Sequence, residues 1–223
     1  MPGERLDEQT MALRVAKEFQ DGMVVNLGVG IPTLCSNFVP PEKEIIFQSE
    51  NGILGFGPIV TDPDEADENL INAGVQPVQP KPGMAVFDHA ESFVMIRGGH
   101  IDLAVLGALE VSERGDLANY TLPGKQVGSF GGGQDLAFCA KRVVVVMTHT
   151  TREGKPKIIK ELTSPTTAPA CVDFIVTDIA TIEVTDQGLL LKETAPGWTA
   201  EDIQALTEAQ LRVAPDLKEI ALL

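Results

Sequence analysis

One carboxylate stands out for what surrounds it. Glu50 follows the short apolar run Ile45–Gln48 and precedes Asn51 and Gly52, a pair that tolerates positive φ and turns the chain sharply. Glycines at 52, 55 and 57, with Pro58 behind them, let a bulky ligand approach the backbone. The carboxyl end of a buried strand is where open α/β sheets place their ligands. A second segment runs from Gly128 through Ser129 and Phe130 to Gly131, Gly132 and Gly133. Consecutive glycines can aim backbone N–H groups at one point and cradle an anion. By composition alone both segments read equally as plain turns, and Glu50 as an N-cap or a surface charge.

Other chemical signatures are absent. Gly28 and Gly30 begin a GxG after a strand, but Pro32 and Thr33 stand where a dinucleotide fingerprint wants a third glycine opening a helix. Gly124 and Lys125 are followed by Gln126, so there is no GK[ST] phosphate loop. No GxSxG elbow occurs. His89, His100 and His149 stand apart from one another, without HExxH spacing, and read as hydrogen-bonded structural residues. Asp62, Asp64, Glu65, Asp67 and Glu68 form an acidic run. A calcium loop counted from Asp62 would need Gly at its sixth position and Glu at its twelfth, where Asp67 and Ala73 stand. The run reads as a solvated loop. Cys35, Cys139 and Cys171 are an odd number with no CxxC pair, which argues against a disulfide framework or a zinc site.

The elements that must carry these residues follow from periodicity. Ala12, Val15, Ala16 and Phe19 make one helical face, stopped by Asp21 and Gly22. Met23–Leu27, Ile45–Gln48, Met84–Phe87, Ile101–Leu106 and Arg142–Met147 read as strands, the last three buried on both faces. Asp88–Ile96 is expected to be a helix. Lys157–Leu162, Val172–Val176, Thr181–Val184 and Leu189–Lys192 read as shorter strands. Thr199 is the expected N-cap of a last helix reaching about Val213, with Glu201 and Asp202 in its first turn. Strands alternating with helices predict an α/β fold, a single open, largely parallel sheet flanked by helices. No composition break marks a linker, so residues 1–223 are expected to form one domain.

Composition narrows the partners. The 223 residues hold 17 Lys and Arg against 32 Asp and Glu, a formal net charge of −15. That balance argues against nucleic-acid binding, which needs a basic stripe, and against docking on anionic membranes. The longest apolar runs, Leu103–Leu109 and Val143–Met147, fall far short of the roughly 20 residues of a membrane span. No signal peptide opens the chain, and a soluble, cytoplasmic protein is expected.

Ser49 through Gly55, with Glu50 at its centre, closely resembles the active-site segment of the B (β) subunit of family I CoA-transferases, the 3-oxoacid CoA-transferase group. The resemblance covers nearly the whole chain. It includes Val25 to Pro32, Leu70 to Gly74, Phe93 to His100, Gly115 to Asn119, Pro123 to Lys125 and Gly131 to Leu136. It implies a covalent, ping-pong enzyme. Glu50 matches the family's nucleophile, which attacks an acyl-CoA, passes through a mixed anhydride and becomes a γ-glutamyl-CoA thioester. The expected donor of CoA is succinyl-CoA and the acceptor a 3-oxoacid such as acetoacetate.

The same resemblance assigns further residues. A carboxylate is a weak nucleophile and needs desolvation and a place for the oxyanion. Gly132, with Gly131 beside it, matches the glycine whose backbone amide serves that purpose. Asn26 and Asn119 match asparagines near bound CoA. Gly28, Gly30, Asn51 and Gly52 belong to the same substrate-binding segments. No metal and no tightly bound cofactor are implied; CoA is substrate and covalent intermediate. The partner implied is a CoA-transferase α (A) subunit, in an α₂β₂ complex with the site at the subunit interface. Gly133 and Gln134 depart from the small residue and methionine expected in relatives, and Val75 stands where some carry a lysine near CoA. Lys81, Arg97 and Lys125 are then candidates for the CoA phosphates, Arg97 reading equally as an ion-pair partner. Alternative readings are a transferase for 3-oxoadipate, acetate or butyrate, an acyl-CoA hydrolase on the same glutamate, a sugar-phosphate-sensing or isomerase domain without a nucleophile, and a scaffold subunit.

Overall fold

A computed structural model describes residues 3–121 and 131–221. The chain opens with α1 (Glu8–Ala16), whose cap Asp7 accepts the Thr10 N–H at 2.8 Å. Next come β1 (Val24–Leu27), α2 (Ile31–Leu34), β2 (Ile46–Ser49), β3 (Ile53–Ile59) and β4 (Val78–Val86). Then α3 (His89–Arg97), capped by Asp88, leads to β5 (Leu103–Leu106), β6 (Glu110–Ser112) and β7 (Leu117–Ala118). Following these are α4 (Gly133–Cys139), β8 (Val143–Met147), β9 (Ile158–Ile159) and β10 (Phe174–Thr177). Last are β11 (Ala180–Thr185), β12 (Gly188–Thr194), α5 (Ala200–Ala205) and β13 (Leu211–Glu219).

Among the described residues, ten strands form one open sheet in the order β13-β12-β11-β10-β8-β5-β1-β2-β3-β4. Its centre, from β10 to β2, is parallel throughout. Antiparallel pairs extend it at both ends, and β13 runs parallel to β12. Beside this mostly parallel sheet, β6, β7 and β9 make a small three-stranded sheet.

The central strands read as continuous apolar runs because both faces are covered. Alternate residues serve two cores. Leu103, Val105, Val144 and Val146 pack with Met11, Val15 and Phe19 on the α1 side. Ala104, Leu106, Val143, Val145 and Met147 pack with Ile96, Leu136 and Ile203 on the other. Each fully buried Val, Leu or Ile contributes roughly 1.5–3 kcal/mol.

Several expected elements differ. The first helix ends at Ala16, and Phe19 is buried just beyond it. The last helix ends at Ala205, not near Val213. The Gln204 side chain donates to the Thr207 and Ala209 carbonyls and accepts the Leu211 N–H, which turns the chain into β13. Lys157–Leu162 contracts to β9. Met84–Phe87 is the exposed end of edge strand β4, not a strand buried on both faces. The Gly- and Pro-rich strand β3, the part of β4 before Met84 and helix α4, which begins among glycines, were not expected.

The order of crossings makes a crevice. From β1 the chain moves to β2 on one side, then returns through α3 to β5 on the other. The carboxyl ends of β1, β2 and β5 therefore flank a topological switch point, where open α/β sheets bind ligands.

Candidate active site

Glu50 is the first residue after β2, on the turn into β3. A tight turn is needed there, and Gly52 provides it at φ +113°, with its N–H on the Ser49 carbonyl at 3.0 Å. A Cβ at Gly52 would overlap the Phe87 carbonyl oxygen. Behind the carboxylate lies a row of buried polar side chains. Asn26 donates to the Gln48 side-chain oxygen at 2.5 Å and to its carbonyl at 3.1 Å. Gln48 donates to the Ser92 hydroxyl at 2.7 Å, and the Ala73 N–H donates to the Ser49 hydroxyl at 3.0 Å. These bonds, each contributing about 1 kcal/mol, tie β1, β2, α3 and the loop after Ile71 around the strand end.

The glycine segment meets the carboxylate. A Cβ built on Gly132 would overlap the Glu50 Oε2 atom, and one on Gly131 would lie 3.8 Å from Oε1. Only residues without side chains let the loop before α4 come this close. Glu50, itself partly buried, opens onto two cavities. The smaller, about 450 Å³, is lined by Gly28, Val29, Leu106, Ala108, Asn119 and Gly131–Gly133, among others. Among the described residues Glu50 is its only charged lining group. The larger, about 880 Å³, runs along α3 past His89, Phe93, Val94 and Arg97 to Asp135. A groove of about 970 Å³ near the β11–β12 hairpin is larger still, but it shares no lining residue with either. Size alone therefore does not find the site; convergence of polar groups at the switch point does.

The expected residues divide. Glu50, Gly131, Gly132, Asn26, Gly28 and Asn119 all line the smaller cavity. Asn26 is 2% exposed with its amide committed to Gln48, so its first job is to hold β2 against β1. Asn119 is held by Thr167, and its amide nitrogen would lie 3.4 Å from a Cβ on Gly133. Gly30 caps α2 at φ +91° and lines neither cavity. Asn51 donates to the Ile71 carbonyl at 2.7 Å, so with Gly52 it shapes the turn and lines neither of these cavities. Gly128–Phe130 and Lys125 lie outside the described residues. Arg97 pairs with Asp135 at 2.6 Å. Lys81 lies on the exposed edge strand β4.

Outside the site, His149 is fully buried between two threonine hydroxyls, and burial holds its pKa down at about 4. The acidic run is largely exposed, and the described residues hold no cluster of three or more side chains suited to a metal. Nor is any helix among them long and apolar enough to cross a membrane. Phe93 was not anticipated at the site. Its signal was the row His89, Phe93 and Arg97 at every fourth position, which puts three flat side chains on one helix face.

Fold and site together define an open-sheet α/β protein with a carboxylate at the switch point and a glycine turn against it. Residues 8–206 match the Coenzyme A transferase family, and the chain belongs to that family. It is 49% identical over 207 residues to the mitochondrial succinyl-CoA:3-ketoacid coenzyme A transferase 2B of Mus musculus, covering 92% of this chain and 40% of that enzyme. It is 45% identical over 210 residues to the acetate CoA-transferase subunit beta of Escherichia coli, covering 94% of this chain and 95% of that subunit. The chain thus spans nearly all of a bacterial subunit and well under half of the mammalian enzyme. An acyl-CoA transferase from Escherichia coli O157:H7 shares the fold, with a TM-score of 0.76 at 23% identity over 100% of this chain and 44% of that one.

Proposed function

We propose that this chain is the B half of a CoA-transferase that moves CoA from succinyl-CoA to a 3-oxoacid such as acetoacetate, with Glu50 as the nucleophile. The observation that carries the reading is the Glu50 carboxylate packed against Gly131 and Gly132 where β1, β2 and β5 end. A Glu50 oxygen attacks the acyl carbonyl of the acyl-CoA, the C–S bond breaks, and CoA leaves as thiolate. The thiolate then attacks the glutamyl carbonyl of the mixed anhydride. The acyl group departs as a free carboxylate, and Glu50 carries CoA as a thioester. A second carboxylate enters and the steps reverse.

Each attack puts negative charge on a carbonyl oxygen beside Gly132. The backbone amide of Gly132, with Gly131 shaping its turn, is the donor this chain offers to that oxygen. A preorganised amide costs no reorganisation and adds no base that could activate water. The long body of CoA supplies binding energy remote from the reacting bond. No metal or tightly bound cofactor enters the scheme. Because the Escherichia coli relative is a subunit beta, a second chain is proposed as partner, an α subunit in an α₂β₂ complex. The acetate named for the Escherichia coli relative makes acetate the rival acceptor.

Mass spectrometry of the complex tests the reading. Given succinyl-CoA and no acceptor, the peptide holding Glu50 should gain the mass of CoA, and acetoacetate should remove it. Glu50→Gln keeps the shape and loses the nucleophile, so turnover should fall by about 10³-fold or more. Near-normal turnover in a folded Glu50→Gln variant would refute the mechanism. Comparing acetoacetate with acetate as acceptor decides between the two acids.

A further inference from the structure

A glutamyl thioester must wait for a scarce acid while water is present in vast excess. Whether the site transfers or hydrolyses depends on what keeps water from the glutamyl carbonyl. Toward the smaller cavity, Glu50 faces glycines, aliphatic side chains and asparagines. Toward the larger it opens onto the groove along α3. Phe93 is the largest apolar side chain on that groove. A single point, the position of a Cβ on Gly132, lies 3.2 Å from the Phe93 ring tip and 2.9 Å from the Glu50 carboxyl carbon. Ring edge, carboxylate and glycine turn therefore meet at one place.

The ring is held in position. His89 packs against it with centroids 4.6 Å apart and the rings tilted by 52°, and the Arg97 guanidinium lies 5.3 Å from its centre on the same helix face. Arg97 in turn bridges to Asp135, in the first turn of α4, whose cap is Gly132. The row on α3 is thereby tied to the element that carries the glycine turn. A cation–π contact of this kind favours one ring rotamer over the others.

We propose that Phe93 is the water-excluding wall of the Glu50 site, a positioning residue that keeps the glutamyl-CoA thioester available to an acid. The proposal rests on the covalent reading given above. The step Phe93 prevents is simple hydrolysis. Water oxygen bonds to the glutamyl carbonyl carbon, the C–S bond breaks, and CoA leaves with a proton as its thiol. Glu50 is restored as a carboxylate and the second proton goes to solvent.

The test uses the complex isolated with its natural partner subunit. Succinyl-CoA is added without acceptor, excess is removed, and loss of the CoA adduct is followed by mass spectrometry alongside release of free thiol. Phe93→Ala should lose the adduct to water about tenfold faster than the parent while still forming it. Phe93→Leu should show the same change in smaller measure, and Phe93→Trp should hold the adduct like the parent. A merely structural role would slow adduct formation and leave hydrolysis alone. If folded Phe93→Ala or Phe93→Leu hydrolyses no faster than the parent, the wall is refuted and the covalent reading stands. Should the parent form no adduct, both fall together.

Discussion

At Gly132 one absent methyl group decides where a carboxylate can sit. An alanine there would put Cβ into the Glu50 Oε2 position, with the Phe93 ring tip only 3.2 Å away. The carboxylate must swing aside, and a displacement near 1 Å costs about 10²-fold in rate. Gly132→Ala should therefore lower kcat by about that factor. Gly131→Ala is the instructive contrast. Its φ is +49°, so alanine pays backbone strain, yet the new Cβ would stand 3.8 Å from Oε1, at ordinary contact distance. It should lose stability and keep much more of its turnover. Steady-state kinetics with a thermal melt for each variant separates the two, and equal kcat values would show that Gly132 is only a turn residue. Glu50 and the glycines were legible in sequence because their types are unusual where they stand. Phe93 was not, because a phenylalanine on a helix face reads first as core, and its ring tip reaches Gly132 only through the packing of α3 on α4.

Among the elements, legibility followed burial. β5 and β8 announced themselves because strands covered on both faces must be apolar throughout, and β1 and β10 nearly so, with only Asn26 and Thr177 polar. β3 and β4 did not. They form an edge ribbon with Gly55, Gly57, Pro58, Pro80 and Pro82 in it, and residues that suit an exposed edge look like turns. The helix after Thr199 was overrun because nothing in its composition marks the stop at Ala205, which is made by the Gln204 side chain. The same corner yields a pH prediction. The Thr207 hydroxyl donates to the Ile203 carbonyl at 2.8 Å, so His149 Nε2–H donates to Thr207 at 2.8 Å. A neutral ring then accepts at Nδ1, and the Thr177 hydroxyl, 3.0 Å from Nδ1 and 3.1 Å from the Ala180 carbonyl, divides its single proton between the two; the ring joins β10 to the segment after α5. Burial lowers the folded pKa to about 4 from an ordinary 6.5. Between those values the unfolded chain binds the proton and the folded chain does not. The contribution is therefore complete above pH 6.5 and lost as pH falls toward 4, by about 2–3 kcal/mol. His149→Asn lacks this titration. Urea unfolding should show the parent's stability advantage over His149→Asn narrowing between pH 7 and 4.5. An advantage that stays constant would mean the ring titrates alike in both states.

For the molecule as a whole, charge and site pull in different directions. The chain carries a net −15, yet the proposed substrate carries the phosphates of CoA. Among the described residues, the smaller cavity has no cation, and Arg97 beside the larger one is engaged by Asp135. An acidic surface repels an anionic ligand over the Debye length, about 8 Å at physiological salt, unless cations are supplied close by. The proposed companion subunit is the natural source of those cations, and the resemblance that implies that subunit also implies that it brings a second oxyanion donor, a side-chain amide. Loss of one such donor typically costs about 10²–10³-fold. The chain alone should therefore form the Glu50 adduct from succinyl-CoA at least about 10²-fold more slowly than the complex, and stoichiometric addition of the companion should restore the rate. Raising the salt should increase KM for the acyl-CoA in the complex more than it changes kcat, because the phosphate contacts act in binding and not at the reacting carbon. An isolated chain that forms the adduct as fast as the complex would place the whole catalytic apparatus on this half, and the acidic surface would then need another explanation.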